Sequence, residues 1–128
     1  TLYNKSNSGI NLHSDYNNLT ENTAYNNSLF GILLQSSEHN NLINNSTYNN
    51  SDYGIYVATS SSDNYLFNNS VFDNVYGITI YGYSDDNNIV NNSIYGNSLG
   101  SITVYFWSDN NNIINNTNGT NSSREQIL

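Results

Sequence analysis

Apolar residues recur along the chain in short alternating groups. Ile55 and Val57 flank Tyr56, and the same spacing returns one repeat later. This two-residue period is that of a β-strand, whereas a helix would show a period of 3.6 residues. Bends rich in Asn, Ser, Asp and Gly separate the groups. The pattern therefore predicts short strands joined by bends along the whole chain.

The groups themselves repeat at intervals of 22 to 24 residues. A Gly-Ile phrase opens each unit, with Ser replacing Gly in the last, and the five starts are Gly9, Gly31, Gly54, Gly77 and Ser101. A second apolar column keeps the same spacing and comprises Leu19, Leu42, Leu66, Ile89 and Ile113. A fixed period of this kind predicts a stack of similar units, each packed mainly on its neighbours.

We therefore predict an all-β fold, a right-handed single-stranded parallel β-helix (solenoid) of about five coils with 22–24 residues per coil. The repeat array is expected to occupy residues 1–117, and residues 118–128 are expected to form an irregular C-terminal tail. The Gly column is expected at a bend that enters a strand, where a Cβ would be crowded or φ would be positive.

Asn residues form two further columns in the same phase. The first comprises Asn22, Asn45, Asn69, Asn92 and Asn116, and the second comprises Asn27, Asn50, Asn74, Asn97 and Asn121. A side-chain amide both donates and accepts, so stacked Asn side chains can hydrogen-bond along the solenoid axis. Asn also tolerates left-handed backbone at a bend. These columns predict a structural role that needs no ligand.

The repeat phrase resembles a known group of proteins. Residues 31–37 and 41–45 read as Gly-Ile-x-Leu, a polar bend and Asn-Leu-x-Asn-Asn, and residues 77–80 and 88–92 read as Gly-Ile-x-Ile and Asn-Ile-x-Asn-Asn. This is similar to the repeats of NosD-like proteins and of the wider carbohydrate-binding and sugar-hydrolase β-helix group, and to arrays in archaeal surface and adhesin-like proteins. The resemblance implies the β-helix fold, which serves as lyase scaffold, sugar binder, stalk and adhesin alike.

Charge restricts the classes of partner. The chain of 128 residues has two basic and ten acidic residues and a net charge of -8. With so few Lys and Arg it cannot neutralise many phosphates, which excludes nucleic acid as an expected partner, and an anionic membrane surface is equally disfavoured. No apolar run is long enough to span a membrane. There is no Cys, which excludes disulfides and thiolate metal sites.

The chain shows no catalytic cluster in its sequence. Polysaccharide lyases and epimerases of the resembled group use a base, often Lys, Arg, His or Tyr, beside carboxylates that neutralise the sugar acid. Here Lys5 and Arg124 lie at opposite ends, with only His13 and His39 between them. A proton-abstraction site needs a positioned base with a partner in reach. We therefore expect that the chain is not an enzyme.

An acidic column lies at one bend, with one or two carboxylates per coil. A solvated edge is the simplest interpretation, and calcium bound between repelling carboxylates is the alternative. The two nearby imidazoles are taken first as solvated surface histidines; zinc or copper is their alternative, considered because the NosD-like proteins that the repeat resembles are associated with copper-enzyme maturation. No cofactor is otherwise expected. The weak metal candidates are Asp15, Glu38, Asp63, Asp85, Asp86, Asp109, His13 and His39.

Aromatic rows give two candidate binding surfaces. One aromatic side chain recurs at the same position of each repeat, beginning with Tyr3, and these rings are expected to point outward. The apolar residue that directly follows each member of the second column is also expected to face outward. Together the two sets are expected to form a partner interface. These interface candidates are Tyr25, Tyr48, Phe72, Tyr95, Ile43, Phe67, Val90 and Ile114. Rings in two adjacent coils could form a flat platform for sugar CH faces. These carbohydrate-binding candidates are Tyr81, Tyr83, Tyr105 and Trp107.

The leading hypothesis is a non-catalytic structural or adhesive segment of an extracellular or cell-surface protein from an archaeon or bacterium. It would bind a protein partner, or copies of itself, through its side faces or uncapped ends. A carbohydrate-binding module that uses the aromatic platform is the alternative. A fragment of a polysaccharide lyase or hydrolase is a third hypothesis.

Overall fold

A computed structural model describes residues 1–119 and 126–127 of the chain. Its strands wind repeatedly through three parallel sheets, A, B and C, so that each coil contributes one strand to each sheet. Sheet A comprises β1 Leu2–Tyr3, β4 Thr23–Tyr25, β7 Ser46–Tyr48, β10 Ser70–Phe72, β13 Ser93–Tyr95 and β16 Thr117–Asn118. Sheet B comprises β2 Ile10–Leu12, β5 Ile32–Gln35, β8 Tyr53–Ala58, β11 Tyr76–Tyr81, β14 Gly100–Tyr105 and β17 Gln126–Ile127. Sheet C comprises β3 Asn18–Thr20, β6 Asn41–Ile43, β9 Tyr65–Phe67, β12 Asn88–Val90 and β15 Asn112–Ile114.

The register confirms the predicted parallel β-helix of about five coils. Equivalent repeat positions lie directly over one another, as where Leu42 pairs with Leu66 and Ile55 with Ile78. The inward side chains of the three sheets meet in one narrow apolar core. Among the described residues no helix is long and apolar enough to cross a membrane.

Three Asn ladders hold the corners where one sheet turns into the next. The sequence predicted the ladders at the C–A corner and the A–B corner, and the structure adds a third at the B–C corner. This third ladder comprises Asn17, Asn40, Asn64, Asn87 and Asn111. Its rungs match those of the others: the Asn64 Oδ1 accepts from the Asn40 backbone N–H at 2.9 Å and from its Nδ2 at 3.1 Å.

The residue in left-handed backbone conformation is the one before each ladder Asn, and not the ladder Asn itself. Asn44, Asn68 and Asp63 have φ between 54 and 58°, and each directly precedes a ladder position. Asn thus takes the left-handed conformation at these bends, but in the position before the ladder. The ladder Asn must turn its amide inward, so the sharp turn falls on its exposed neighbour, where Asn, Asp and Gly are favoured.

The Gly column is needed for space and not for a positive φ. A Cβ at Gly54 would contact Val71 Cγ1 and lie 2.7 Å from Asn74 Nδ2, both of which belong to the interior next to sheet A. Of the two reasons the sequence offered, crowding is the correct one. Gly100, which precedes Ser101 and is not part of the Gly column, is less crowded: the atom nearest to such a Cβ is Thr103 Cγ2 at 3.3 Å.

Residues 118–128, expected to be an irregular tail, are only partly described. Asn118 ends β16 on sheet A, and β17 pairs with β14 on sheet B. The other residues of this segment after position 119 lie outside the described residues. The tail assignment therefore stays a prediction.

We predict that Asn69→Ala lowers the free energy of unfolding by about 3 kcal/mol. The Asn69 Oδ1 accepts two hydrogen bonds from Asn45, and its Nδ2 donates to the Leu42 carbonyl and to Asn92. The substitution therefore leaves several buried polar groups without these hydrogen bonds. Asn41→Ala is the matched control, because Asn41 Nδ2 donates only to exposed Asn18. Equal losses for the two variants in chemical denaturation would contradict a structural role for the ladder.

We also predict that Thr47→Val stabilises the fold by about 1 kcal/mol. Thr47 lies fully buried in the inward column of sheet A, and its Oγ1 has no hydrogen-bond partner. Val has nearly the same shape and already occupies the next rung, at Val71. Thermal melting of Thr47→Val and of the reverse change Val71→Thr should move in opposite directions; a lower melting temperature for Thr47→Val would refute the prediction.

Candidate functional site

The outer face of sheet A carries a continuous ladder of stacked rings. Neighbouring rings have centroids 4.8–5.2 Å apart and interplanar angles of 3–13°. The ladder comprises Tyr3, Tyr25, Tyr48, Phe72 and Tyr95. The rings do point outward, as expected, while Ala24, Val71 and Ile94 point into the core. Their faces are covered by one another, so the ladder presents mainly ring edges to a partner.

Sheet C carries the expected outward apolar column, whose members directly follow the inward Leu and Ile residues of the second column. Its outer positions are partly buried or exposed, opposite the fully buried Leu42, Leu66 and Ile89. The column comprises Ile43, Phe67, Val90 and Ile114. It lies on the sheet next to the ring ladder, across the C–A corner. Binding of a protein partner by either column stays a prediction.

The outer face of sheet B carries a larger and less regular aromatic cluster. Its rings lie in four columns, and the later coils add rings further along the strands, so the cluster crosses the face diagonally. One column contributes Phe30, Tyr53 and Tyr76, and the others contribute Tyr56, Tyr81, Tyr105 and Phe106. These seven residues are called the sheet-B cluster here.

Small side chains between the rings explain the shape of the cluster. Outward positions Ala58, Thr79 and Thr103 leave room on the face, and neighbouring rings fold over them. Thr79 is fully buried although it points away from the core, and its hydroxyl lies 2.7 Å from that of Thr103. The cluster therefore forms a second, outer apolar layer on sheet B.

Ring orientations within the cluster are mixed. Tyr53 stacks on Tyr56 with centroids 4.4 Å apart, whereas Tyr81 meets Tyr105 edge-on at 66°. Tyr81 also stacks on Phe106 at 5.0 Å. The cluster therefore combines stacked and edge-on contacts, unlike the uniform stack of the sheet-A ladder.

The tyrosine hydroxyls of the cluster lie in a partly desolvated environment. Burial raises the pKa of Tyr53 well above its ordinary value, and its side-chain hydrogen bond with Tyr105 adds to the effect. Burial likewise raises the pKa of Tyr56 to about 12, with Tyr105 and Tyr81 contributing. At neutral pH both hydroxyls are protonated, so they can donate hydrogen bonds but do not act as bases.

Asp52 is the carboxylate next to these hydroxyls. It precedes Tyr53 at the A–B corner, and its charge contributes to the raised pKa of Tyr53 and Tyr56. Desolvation raises the pKa of Asp52 itself. Its backbone carbonyl accepts from Val75 and Tyr76 at 3.0 Å, which fixes the corner against the next coil.

The predicted carbohydrate-binding residues are only partly brought together. Tyr81 and Tyr105 pair in one column as expected, but their edge-on contact rules out the flat platform that was predicted. Tyr83 and Trp107 lie beyond the end of sheet B at positive φ and are 57% and 68% exposed. Tyr83 reaches the cluster through Phe106, at 6.1 Å and 80°.

Sequence reasoning missed most of the sheet-B cluster. Phe30, Tyr53 and Tyr76 each directly precede a repeat Gly, so the same 23-residue spacing would have revealed their column. Tyr56 lies at the outward position of the phrase that opens the third repeat, between two inward residues. That these side chains converge across columns depends on the small residues between them.

The acidic column does not form a metal centre among the described residues, where no three His, Cys, Asp or Glu side chains gather to hold an ion. Two of the carboxylates instead accept backbone bonds at 2.7 Å, Asp15 from Glu38 and Asp85 from Asp109. His39 stacks on Tyr16, and its Nδ1 lies 4.0 Å from Asp63. Calcium, zinc or copper binding at Asp15, Glu38, Asp63, Asp85, Asp86, Asp109, His13 and His39 stays a prediction.

We predict that the fold loses stability as the pH rises above about 10. Tyr53 and Tyr56 have raised pKa values in the folded state, so the unfolded chain releases their protons first and is favoured at alkaline pH. The loss should continue through about 12 for Tyr56. Urea denaturation at pH values on both sides of 10 measures the free energy of unfolding. This free energy should fall less steeply with pH in Tyr56→Phe than in the original chain. An equally steep fall in that variant would contradict a desolvated hydroxyl at Tyr56.

Two solved structures resemble this fold. One is a mutant of the periplasmic alginate epimerase AlgG, with a TM-score of 0.69 and 24% identity over 77% of this chain and 24% of that one. The other is the A-module of the Azotobacter vinelandii mannuronan C-5 epimerase AlgE4, with a TM-score of 0.60 and 21% identity over 84% of this chain and 35% of that one. The chain thus spans about a quarter to a third of these proteins.

This comparison corrects the leading functional hypothesis. Both similar structures are enzymes, which contradicts the expectation of a non-catalytic structural or adhesive segment and the expectation that the chain is not an enzyme. The hypothesis gave too much weight to the scarcity of Lys and Arg. At these identities the likeness establishes the shared fold alone.

A search of the curated proteins gave no match. The family described as "Right handed beta helix region" matches residues 1–118, nearly the whole repeat array. This match confirms the predicted right-handed winding. The three parallel sheets, the stacked core columns and this match agree, and the chain belongs to the right-handed β-helix family.

Proposed function

We propose that this chain is a section of the β-helix of a polysaccharide-modifying enzyme, and that the sheet-B cluster is its sugar-binding surface. The observation that carries the proposal is the continuous chain of ring contacts from Tyr53 through Tyr56 and Tyr81 to Tyr105 on one face. Aromatic rings bind the apolar faces of sugars, and phenol hydroxyls bind sugar hydroxyls.

The sheet-A ladder is a weaker candidate for the same task. Its rings stack face to face with angles as low as 3°, so the faces that a sugar would need are already covered. On sheet B the contacts at 42° and 66° are tilted or edge-on, so the rings do not form one face-to-face stack. The two aromatic faces of one rod therefore differ in their capacity for sugar.

The enzyme class is supported by the similar structures, whose names describe epimerases that act on alginate or mannuronan. In the described part of this chain the cluster offers protonated hydroxyls from Tyr53 and Tyr56 and one carboxylate, Asp52. Such groups bind and orient a sugar through hydrogen bonds. A section that spans about a third or less of its structural relatives would share the reaction with neighbouring coils of a longer protein.

The cell envelope or exterior is the location that fits this function, since polysaccharides are found there and AlgG is periplasmic. The resemblance to NosD-like repeats is a further part of the proposal, supported by the phrase in residues 31–37 and 77–80. The net negative charge of the chain is compatible with both the cell envelope and the exterior and does not distinguish between them.

We predict that the chain binds an oligosaccharide and that Tyr105→Ala weakens this binding about tenfold or more, since a lost ring contact removes more than 1 kcal/mol. Isothermal titration against a panel of oligosaccharides measures the affinity. Tyr56→Phe, which keeps the ring and removes only the hydroxyl, should weaken binding less.

Tyr48→Ala on the sheet-A ladder is the matched control and should leave the affinity unchanged. Trp107→Ala tests whether the exposed corner extends the surface. The proposal fails if no glycan binds, or if Tyr48→Ala reduces binding as much as Tyr105→Ala does. Circular dichroism of each variant confirms that the coils are intact.

A further inference from the structure

The charges around the sheet-B cluster suggest which class of polysaccharide it accepts. Asp52 lies at one long edge of the face, at the A–B corner, and Asp73 lies one coil further along the same corner. The opposite edge, at the B–C corner, carries the acidic column. The carboxylates of this column beside the cluster coils are Asp63, Asp85, Asp86 and Asp109.

Positive charge is scarce on the described part of the rod. Lys5 belongs to the first coil, whereas the cluster begins with Phe30 in the second. His13 is exposed at the end of β2, also in the first coil, and His39 is paired with Asp63. Arg124 lies outside the described residues. No cationic side chain of residues 1–119 therefore lies within the cluster.

The cluster itself offers no compensation for a bound carboxylate. Its polar groups are phenol hydroxyls that remain neutral at ordinary pH, and the carboxyl group nearest to them, Asp52, already has a raised pKa from desolvation. A uronic acid at this site would place a further negative charge in a partly desolvated acidic setting. Like charges brought together in this way oppose binding.

We infer that the sheet-B cluster selects a polysaccharide of uncharged sugar units and rejects polyuronates. The inference rests on the proposed sugar-binding function and narrows its substrate class. It separates this chain from the two structural relatives, whose named substrates, alginate and mannuronan, are polymers of uronic acids. Proteins that share this fold can therefore bind substrates of different charge.

The test uses matched oligosaccharides that differ only in their carboxyl groups. Mannuronan, polygalacturonate and polyglucuronate oligomers are each prepared as the acid and after chemical reduction of the carboxyl groups to alcohols. The affinity of the full 128-residue chain for all six is measured by titration calorimetry with EDTA present, so that no divalent cation bridges the charges. We expect at least one reduced oligomer to bind about tenfold or more tightly than its acidic parent.

Ionic strength separates charge from shape as the cause. Raising the salt from about 0.1 M to about 1 M shortens the screening length from about 10 Å to about 3 Å, so the preference should narrow. At low salt, Asp52→Asn should reduce the ratio between the affinities for the reduced and the acidic oligomer, because it should raise the affinity for the acidic one. A preference that is unchanged under both conditions would be steric and would overturn the inference.

The outcomes also separate this inference from the proposed function. Equal or tighter binding of the acidic oligomers, lost in Tyr105→Ala, would overturn the uncharged substrate class and leave the sugar-binding face supported. Binding of none of the six, or binding that Tyr105→Ala does not weaken, would overturn both. A preference for reduced oligomers that disappears in Tyr105→Ala would support both.

Discussion

The hydrogen bonds of the buried Asn side chains are the constraint on which the rest of the structure depends. At each corner the backbone turns sharply, and the polar groups inside the turn have no strand partner. Asn69 illustrates the solution: its oxygen accepts both the backbone and the side-chain donor of Asn45, and its nitrogen reaches the Leu42 carbonyl and the next rung. Three such ladders fix the vertical spacing of the coils, and this spacing aligns every other column.

The thin core could not define the coil shape alone. Apolar residues make up 36% of the chain, below the roughly 45–50% of ordinary globular domains. The ladders compensate by making the corners polar yet fully bonded, so that buried amides occupy space that apolar side chains would fill elsewhere. The repeat glycines Gly9, Gly31, Gly54 and Gly77 serve the same compactness, because the interior is too crowded at these positions for a Cβ.

The fold was predictable from the sequence because its signal is periodic. A spacing of 22 to 24 residues located the coils, and alternation assigned the inward columns correctly, including Leu42 and Ile78. The third Asn ladder was missed although its members keep the same spacing of 23 or 24 residues as those of the other two ladders. At its turns the left-handed residue, for example His39, directly precedes the inward Asn.

The candidate site was less predictable because it depends on side chains from different columns. Tyr81 and Tyr105 were identified by their shared column, yet their edge-on contact follows from the position of Phe106 and the small residues beneath. Tyr53 gains its role by crossing the face to Tyr105, two coils away. An interpretation that takes one column at a time treats the columns as independent, whereas this cluster joins four of them.

The diagonal path of the sheet-B cluster has an evolutionary consequence. Duplicating or deleting one whole coil would leave each Asn ladder with an equivalent neighbour, so the rod can change length with little penalty. The same event within residues 53–105 would separate rings that now meet, because Tyr53 and Tyr105 belong to different coils. Recombination between repeats can therefore lengthen this protein freely on either side of the cluster, while selection for the cluster would keep the central coils in fixed number and order.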